Sequence, residues 1–159
     1  MRTEEAGLVA AFPDTYLTFR LGREVFGLEA KYLWEIATSV SLSPLPRNSS
    51  FLVGITHLHG KIIPVMDLNA LLERPPLTDP GGFVAVKPFG LEALGGFLVS
   101  RVLGFERFPA PDIQPVPEEK GVRFLRGQAA VQAGTLQLLD LERLWAGVRP
   151  AAAAGNSPL

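Results

Sequence analysis

The chain has two histidines and no cysteine, so the groups most able to do chemistry near neutral pH are His57 and His59 in the segment ITHLHGK. Residues i and i+2 of a strand face the same way, and two imidazoles so placed could begin a metal site. Zinc takes at least three protein ligands, however, and the nearest acid in the sequence is Asp67. His59 also falls where a turn is expected, which spoils the shared facing. A polar hairpin tip is the preferred reading, and no metal, cofactor or catalytic residue is assigned. Asp67 and Asp140 could be imagined as paired carboxylates for acid–base work. Each stands just before a Leu-x-x-Leu spacing, Leu68 and Leu71 in one case and Leu141 and Leu144 in the other, so helix capping explains both more simply. A phosphate-binding glycine loop, a dinucleotide fingerprint and a nucleophile elbow are all missing from the sequence.

The elements that must position these residues come twice. Phe51 to Leu72, FLVGITHLHGKIIPVMDLNALL, returns without a gap as Phe124 to Trp145, FLRGQAAVQAGTLQLLDLERLW. Phe51, Leu52, Gly54, Asp67, Leu68 and Leu71 recur as Phe124, Leu125, Gly127, Asp140, Leu141 and Leu144. The repeated positions describe a folding pattern and contain no histidine. In the first copy Gly54 to Leu58 and Ile62 to Met66 predict two strands joined at His59-Gly60, where Gly60 supplies positive φ. Pro64 lacks an amide hydrogen and implies an edge or a bulge. In the second copy Arg126 to Val131 and Thr135 to Leu139 predict the matching hairpin, turning near Ala133-Gly134.

Ahead of the first copy, Tyr16 to Leu21 alternates as a half-buried strand and Glu24 to Leu28 returns from the Gly22-Arg23 turn. Ala30, Leu33, Trp34 and Ala37 fall at helical spacing, while Trp34, Ile36 and the β-branched residues beyond favour extension after about one turn, so a short helix followed by a strand is expected. Trp34 and Glu35 are expected on opposite surfaces, with one of them exposed. SLSPLPRNSS reads as a loop. Arg74 to Gly82, RPPLTDPGG, is the best boundary between the halves. Beyond it Phe83 to Val86, Gly96 to Val99 and Val102 to Phe108 predict strands.

The expected organisation is therefore all-β with short helices. Residues 1–14 are read as a flexible N-terminal segment and 15–146 as one domain. Within it a first barrel covers about 15–75, a linker about 74–82 and a second barrel about 83–146, with room for strands to exchange between barrels. Residues 147–159 are read as a disordered tail. With 159 residues and 47% hydrophobic content, a self-sufficient core is available. The formal net charge of −1 offers no general attraction to nucleic acid or anionic membrane. No apolar run reaches the roughly 18 residues of a membrane span, and acidic residues stand where a signal peptide would be basic. A cytoplasmic, soluble protein is expected.

YLTFRLGREVFGLEAKYLWEI, GITHLHGKIIPVMDL, GGFLVSRVLGF and the second copy ending in LLDLERLW together resemble the CheW family of chemotaxis coupling proteins, over about residues 15 to 146. The resemblance implies two SH3-like five-stranded antiparallel β-barrel subdomains packed over a shared core and no enzymatic activity. It implies as partners the regulatory domain of a CheA-type histidine kinase and the cytoplasmic tip of a methyl-accepting chemoreceptor, and neither nucleic acid nor direct membrane insertion. On this reading Leu33, Trp34, Glu35 and Ile36 with the hairpin tip His59, Gly60 and Lys61 form the partner-binding surface. The chain departs from the family in two places. His57-Leu58-His59-Gly60 stands where Asn-Leu-Arg-Gly is usual, exchanging a planar, always-charged guanidinium for an imidazole. Val99-Ser100 stands where Val-Asp is usual. The runner-up reading is an equivalent adaptor in a chemosensory-like system driving pilus-based motility or another output, and a histidine-based metal hydrolase is a remote third.

Overall fold

The computed structural model describes residues 13–45, 51–87, 95–116, 124–132 and 134–154, with side chains in the last helix described as far as Val148. Strands β1 (Thr15–Leu21) and β2 (Glu24–Glu29) form the first hairpin, and a 3-10 turn at Ala30–Tyr32 leads into β3 (Leu33–Ala37). Next come β4 (Ser43–Pro44), β5 (Leu52–Leu58), β6 (Lys61–Asp67) and the short helix α1 (Leu68–Leu71). The second half holds β7 (Gly82–Val86), β8 (Gly95–Val99), β9 (Arg101–Arg107), a 3-10 turn at Ala110–Asp112, β10 (Leu125–Val131), β11 (Gly134–Leu139) and helix α2 (Leu141–Ala154).

These strands make a five-stranded sheet, β10-β11-β2-β1-β9, and a six-stranded sheet, β3-β7-β8-β6-β5-β4. Each sheet takes strands from both sides of the 74–82 boundary. The chain crosses from one sheet to the other between β2 and β3 and crosses back between β8 and β9. Pairing is antiparallel except where a hairpin of one half meets a hairpin of the other, at β11 with β2 and at β6 with β8, which run parallel. Parallel neighbours need a long connection, and the intervening strands supply it. The edge strands of neither sheet are hydrogen-bonded to each other among the described residues.

Three apolar clusters hold the sheets together. Tyr16, Val25, Phe108, Ala129, Leu136 and Leu138 fill the five-stranded SH3-like subdomain. Ile63, Val65, Phe83 and Ala85 fill the six-stranded one. Between them lies the larger shared cluster, with Leu17, Phe19, Phe26, Leu28, Met66, Val84, Phe97, Leu141 and Trp145 among its members. Strands such as β1 are buried on both faces as a result.

The repeat is exact in its backbone devices. The β5–β6 register breaks between Leu52 and Gly54, and the β10–β11 register breaks between Leu125 and Gly127. A β-carbon on Gly54 would stand 2.6 Å from the carbonyl oxygen of Ser43, and one on Gly127 would stand 2.9 Å from that of Gln114. Both glycines are needed because another backbone segment pairs across them. That close approach also makes β4 a strand inside the segment read from sequence as a loop, since Pro44 pairs with Gly54. The Asp67 amide donates to the Phe51 carbonyl and the Asp140 amide to that of Phe124, at 2.8 and 2.7 Å. Asp67 caps α1, its Oδ1 accepting from the Ala70 amide at 3.3 Å while Oδ2 accepts from Leu77 at 2.9 Å. Asp140 Oδ1 accepts from the Arg143 amide at 3.1 Å. Both aspartates are occupied by backbone, each cap contributing about 1 kcal/mol.

Pro64 is tolerated for a local reason. Its strand is internal, yet the pairing of β6 with β8 begins only at Val65, so the missing amide falls where that side of β6 has no partner. Helix α2 passes residue 146, where the folded domain was expected to end, and continues to Ala154. Leu141, Leu144, Trp145 and Val148 lie at helical spacing and are buried in the shared cluster, and alanine is the strongest helix former for the turns that follow. The expected flexible segment at 1–12, the end of the tail at 155–159, and Ala133 in the second hairpin turn lie outside the described residues.

Candidate functional site

The site is built by an irregularity in an edge strand. Regular alternation would send Trp34 and Glu35 to opposite faces of β3. Against β7, however, Leu33 pairs with Val86 and Glu35 with Ala85, so Trp34 is an extra residue. A bulge of this kind re-aims side chains. Leu33 and Ile36, on either side of it, both pack on the shared cluster, while Trp34 and Glu35 both reach the β5–β6 hairpin. The expectation that these two neighbours would split between surfaces fails for this reason.

The hairpin tip they meet is a tight turn in which His59 has φ 49° and Gly60 φ 79°. Two consecutive positive φ values give the turn whose twist matches paired strands, and histidine is among the non-glycine residues that accept the first of them. His59 Nε2 lies 2.6 Å from Glu35 Oε2, with the imidazole Nε2–H donating to the carboxylate. The Trp34 ring meets the same imidazole edge-on, centroids 5.5 Å apart at 83°. Glu35 keeps only 15% of its side-chain surface exposed and His59 keeps 57%. The pair thus bridges the partly covered edge of β3 to an exposed tip, and Trp34 packs inward on the six-stranded subdomain's cluster. One end of β3 is held too, because Tyr32 Oη donates to Glu142 Oε1 at 2.9 Å on α2. Burial and that hydrogen bond push the Tyr32 hydroxyl well above its ordinary range.

Around the tip, Gly60, Lys61 and Ile62 are exposed. Ile62 is 51% exposed, one of two large apolar side chains so open among the described residues. Sequence reasoning left it out of the site. The signal was present in the consecutive Ile62-Ile63, of which only one can face the interior of a strand. Of the seven residues named from sequence, Trp34, Glu35, His59, Gly60 and Lys61 come together in space. Leu33 is buried and Ile36 half-buried against the shared cluster, where they hold β3 in place. His57 is exposed on β5, and no three His, Cys, Asp or Glu side chains are grouped to hold a metal among the described residues. The arrangement is an aromatic–acid–imidazole unit at a hairpin tip whose following residues, Lys61 and Ile62, are exposed.

The CheW-like domain model matches residues 15–148. The chain belongs to the CheW-like family. Among curated relatives of this CheW-like chain, Protein FrzA of Myxococcus xanthus is 30% identical over 160 residues, covering 97% of this chain and 99% of that protein. Chemotaxis protein CheW of Klebsiella aerogenes is 29% identical over 133 residues, 81% of this chain and 80% of its own length. The crystal structure of the scaffolding protein TtCheW from Thermoanaerobacter tengcongensis superposes with a TM-score of 0.71 at 25% identity, covering 80% of this chain and 89% of that one. The mostly β, two-sheet architecture is that of the CheW structure. No helix among the described residues is long and apolar enough to cross a membrane.

Proposed function

We propose that this CheW-like chain is a non-enzymatic coupling scaffold that links a CheA-type histidine kinase to chemoreceptors in bacterial two-component signalling. It works in the cytoplasm, at receptor arrays that it joins through its partners. The observation that supports this reading most is the convergence of Trp34, Glu35 and His59 on a family scaffold, with Ile62 of the same hairpin exposed. Binding is the whole activity, and the geometry prepares for it. Glu35 and Trp34 hold the His59 tip before a partner arrives, which reduces the ordering cost of association. Ile62 offers the apolar anchor, with Gly60 and Lys61 on a polar rim, the usual anatomy of a moderate interface. In this reading the tip takes the kinase's regulatory domain, and the receptor's cytoplasmic tip engages the assembled scaffold.

The experiment is reconstitution of kinase autophosphorylation with receptor-containing membranes. Receptor-dependent stimulation should require the chain and should be lost with Glu35→Lys while the circular dichroism melt is retained. Stimulation unchanged by Glu35→Lys would contradict the assignment of the tip. FrzA, as similar to this chain as the chemotaxis protein, favours a second reading in which the same adaptor serves a chemosensory-like system with another output. Which kinase and receptor are encoded beside the chain separates the two.

A further inference from the structure

A second surface stands on the five-stranded sheet, away from the His59 tip. Arg20 of β1 lies directly opposite Arg101 of β9, so the two side chains leave the same face of the sheet as close neighbours. The Arg20 Nη1 donates to the Arg23 carbonyl at 3.2 Å, drawing it to the β1–β2 turn where Arg23 is exposed. Among the described residues none of the three guanidinium groups has an ion-pair partner. The carboxylates at this corner are engaged with other groups: Asp79 accepts from Ser100 Oγ at 3.1 Å, Ser100 Oγ accepts from the Gly22 amide at 2.8 Å, and Glu24 accepts from Arg74 and Gln137. Two residues along β9, Leu103 is 43% exposed. It is the extra residue of a bulge, since Val102 pairs with Phe19 and Gly104 with Thr18.

Like charges directly opposite each other destabilise a sheet, and among the described residues no carboxylate pairs with them, on a chain whose net charge is −1. Guanidinium groups are built for carboxylates, which they take in a planar fork. We infer that Arg20, Arg23 and Arg101 with Leu103 form a docking surface for an acidic amphipathic segment of another protein. Its carboxylates lie over the guanidinium groups and an apolar side chain rests on Leu103. The charge complementarity, and the single apolar side chain beside it, define the occupant.

The test uses the whole chain and fluorescence anisotropy of a labelled peptide of glutamate and leucine at helical spacing. The same peptide with lysine for glutamate, phosphatidylserine-containing vesicles and a short DNA duplex serve as rival probes. The acidic peptide should bind, and Arg101→Glu should weaken it at least about tenfold. The same substitution should raise the melting temperature by about 1–3 °C, because a repulsive cross-strand pair becomes attractive. Arg101→Gln, which removes charge without creating a new pair, should weaken binding with the fold intact. Leu103→Ser should weaken it as well. Failure of the acidic peptide to bind, equal binding of the lysine peptide, a preference for vesicles or duplex, or indifference to both Arg101 variants would each overturn the inference.

Discussion

Strands β3 and β9 hold the same place in their two sheets and present different chemistry. Each is an edge strand, β3 beside β7 and β9 beside β1. Each sends two residues into the shared cluster, Leu33 and Ile36 from β3 and Val102 and Phe105 from β9. Each carries one extra residue between those two. At that bulge β3 has Trp34 followed by Glu35, whereas β9 has Leu103 followed by Gly104. Ahead of it β3 is preceded by the buried Tyr32, and β9 begins with the exposed Arg101. Opposite β3 the hairpin tip offers His59, which Glu35 and Trp34 hold. In the corresponding turn of the second copy the residue is Gln132. The same backbone device thus stands at one edge of each sheet, and the side chains it presents differ: an aromatic–acid–imidazole unit on one sheet, an apolar side chain beside arginines on the other.

Replacing the residues that anchor β3 would break this correspondence most severely. Leu33→Ala should cost about 2–4 kcal/mol in urea denaturation, since it empties a buried site beside the bulge. Val102→Ala at the half-buried equivalent should cost less. Truncating the bulge residues themselves sharpens the contrast. Trp34→Ala should cost about 1–3 kcal/mol because its ring packs on the six-stranded subdomain's cluster, while Leu103→Ala, at an exposed position, should stay within about 0.5 kcal/mol. A large loss at Leu103 would show that β9 is covered by something in the free protein.

A smaller effect lies in the residue before β3. Tyr32 holds its proton above the ordinary tyrosine value of 10.0, through burial and then its hydrogen bond to Glu142. A raised folded-state value stabilises the fold fully below the unfolded value and loses that contribution as the pH rises beyond it. Stability measured against pH should therefore fall from about pH 10 upward. Tyr32→Phe should flatten that part of the curve, and an unchanged profile would detach β3 from α2.

Much of this was legible in the chain because the signals are local. The repeated Phe-Leu-x-Gly and Asp-Leu blocks fixed two hairpins and two caps, and Gly60 fixed a turn whose φ is indeed positive. The alternation from Tyr16 to Leu21 gave β1 as a strand, but its half-buried reading fails because Tyr16 and Thr18 are buried too. What stayed hidden depends on partners distant in sequence. The bulge at Trp34 exists only against β7, so no periodicity within LWEIA shows that Trp34 and Glu35 reach the same imidazole. The parallel joins of β6 with β8 and β11 with β2 follow from the crossing of the chain between sheets, which hydrophobic pattern does not encode. Ile62 was missed because two consecutive isoleucines say that one is exposed without saying which.

The most direct test of the central claim is calorimetric titration of the chain, with and without Glu35→Lys, into the regulatory domain of the CheA-type kinase from the same organism. Saturable binding near one to one, weakened by about 2 kcal/mol or more in the variant while its thermal unfolding stays unchanged, is the predicted result. Equal binding by both proteins, or none by the folded wild type, would contradict the assignment of the β3 bulge and the His59 tip as the kinase-docking surface.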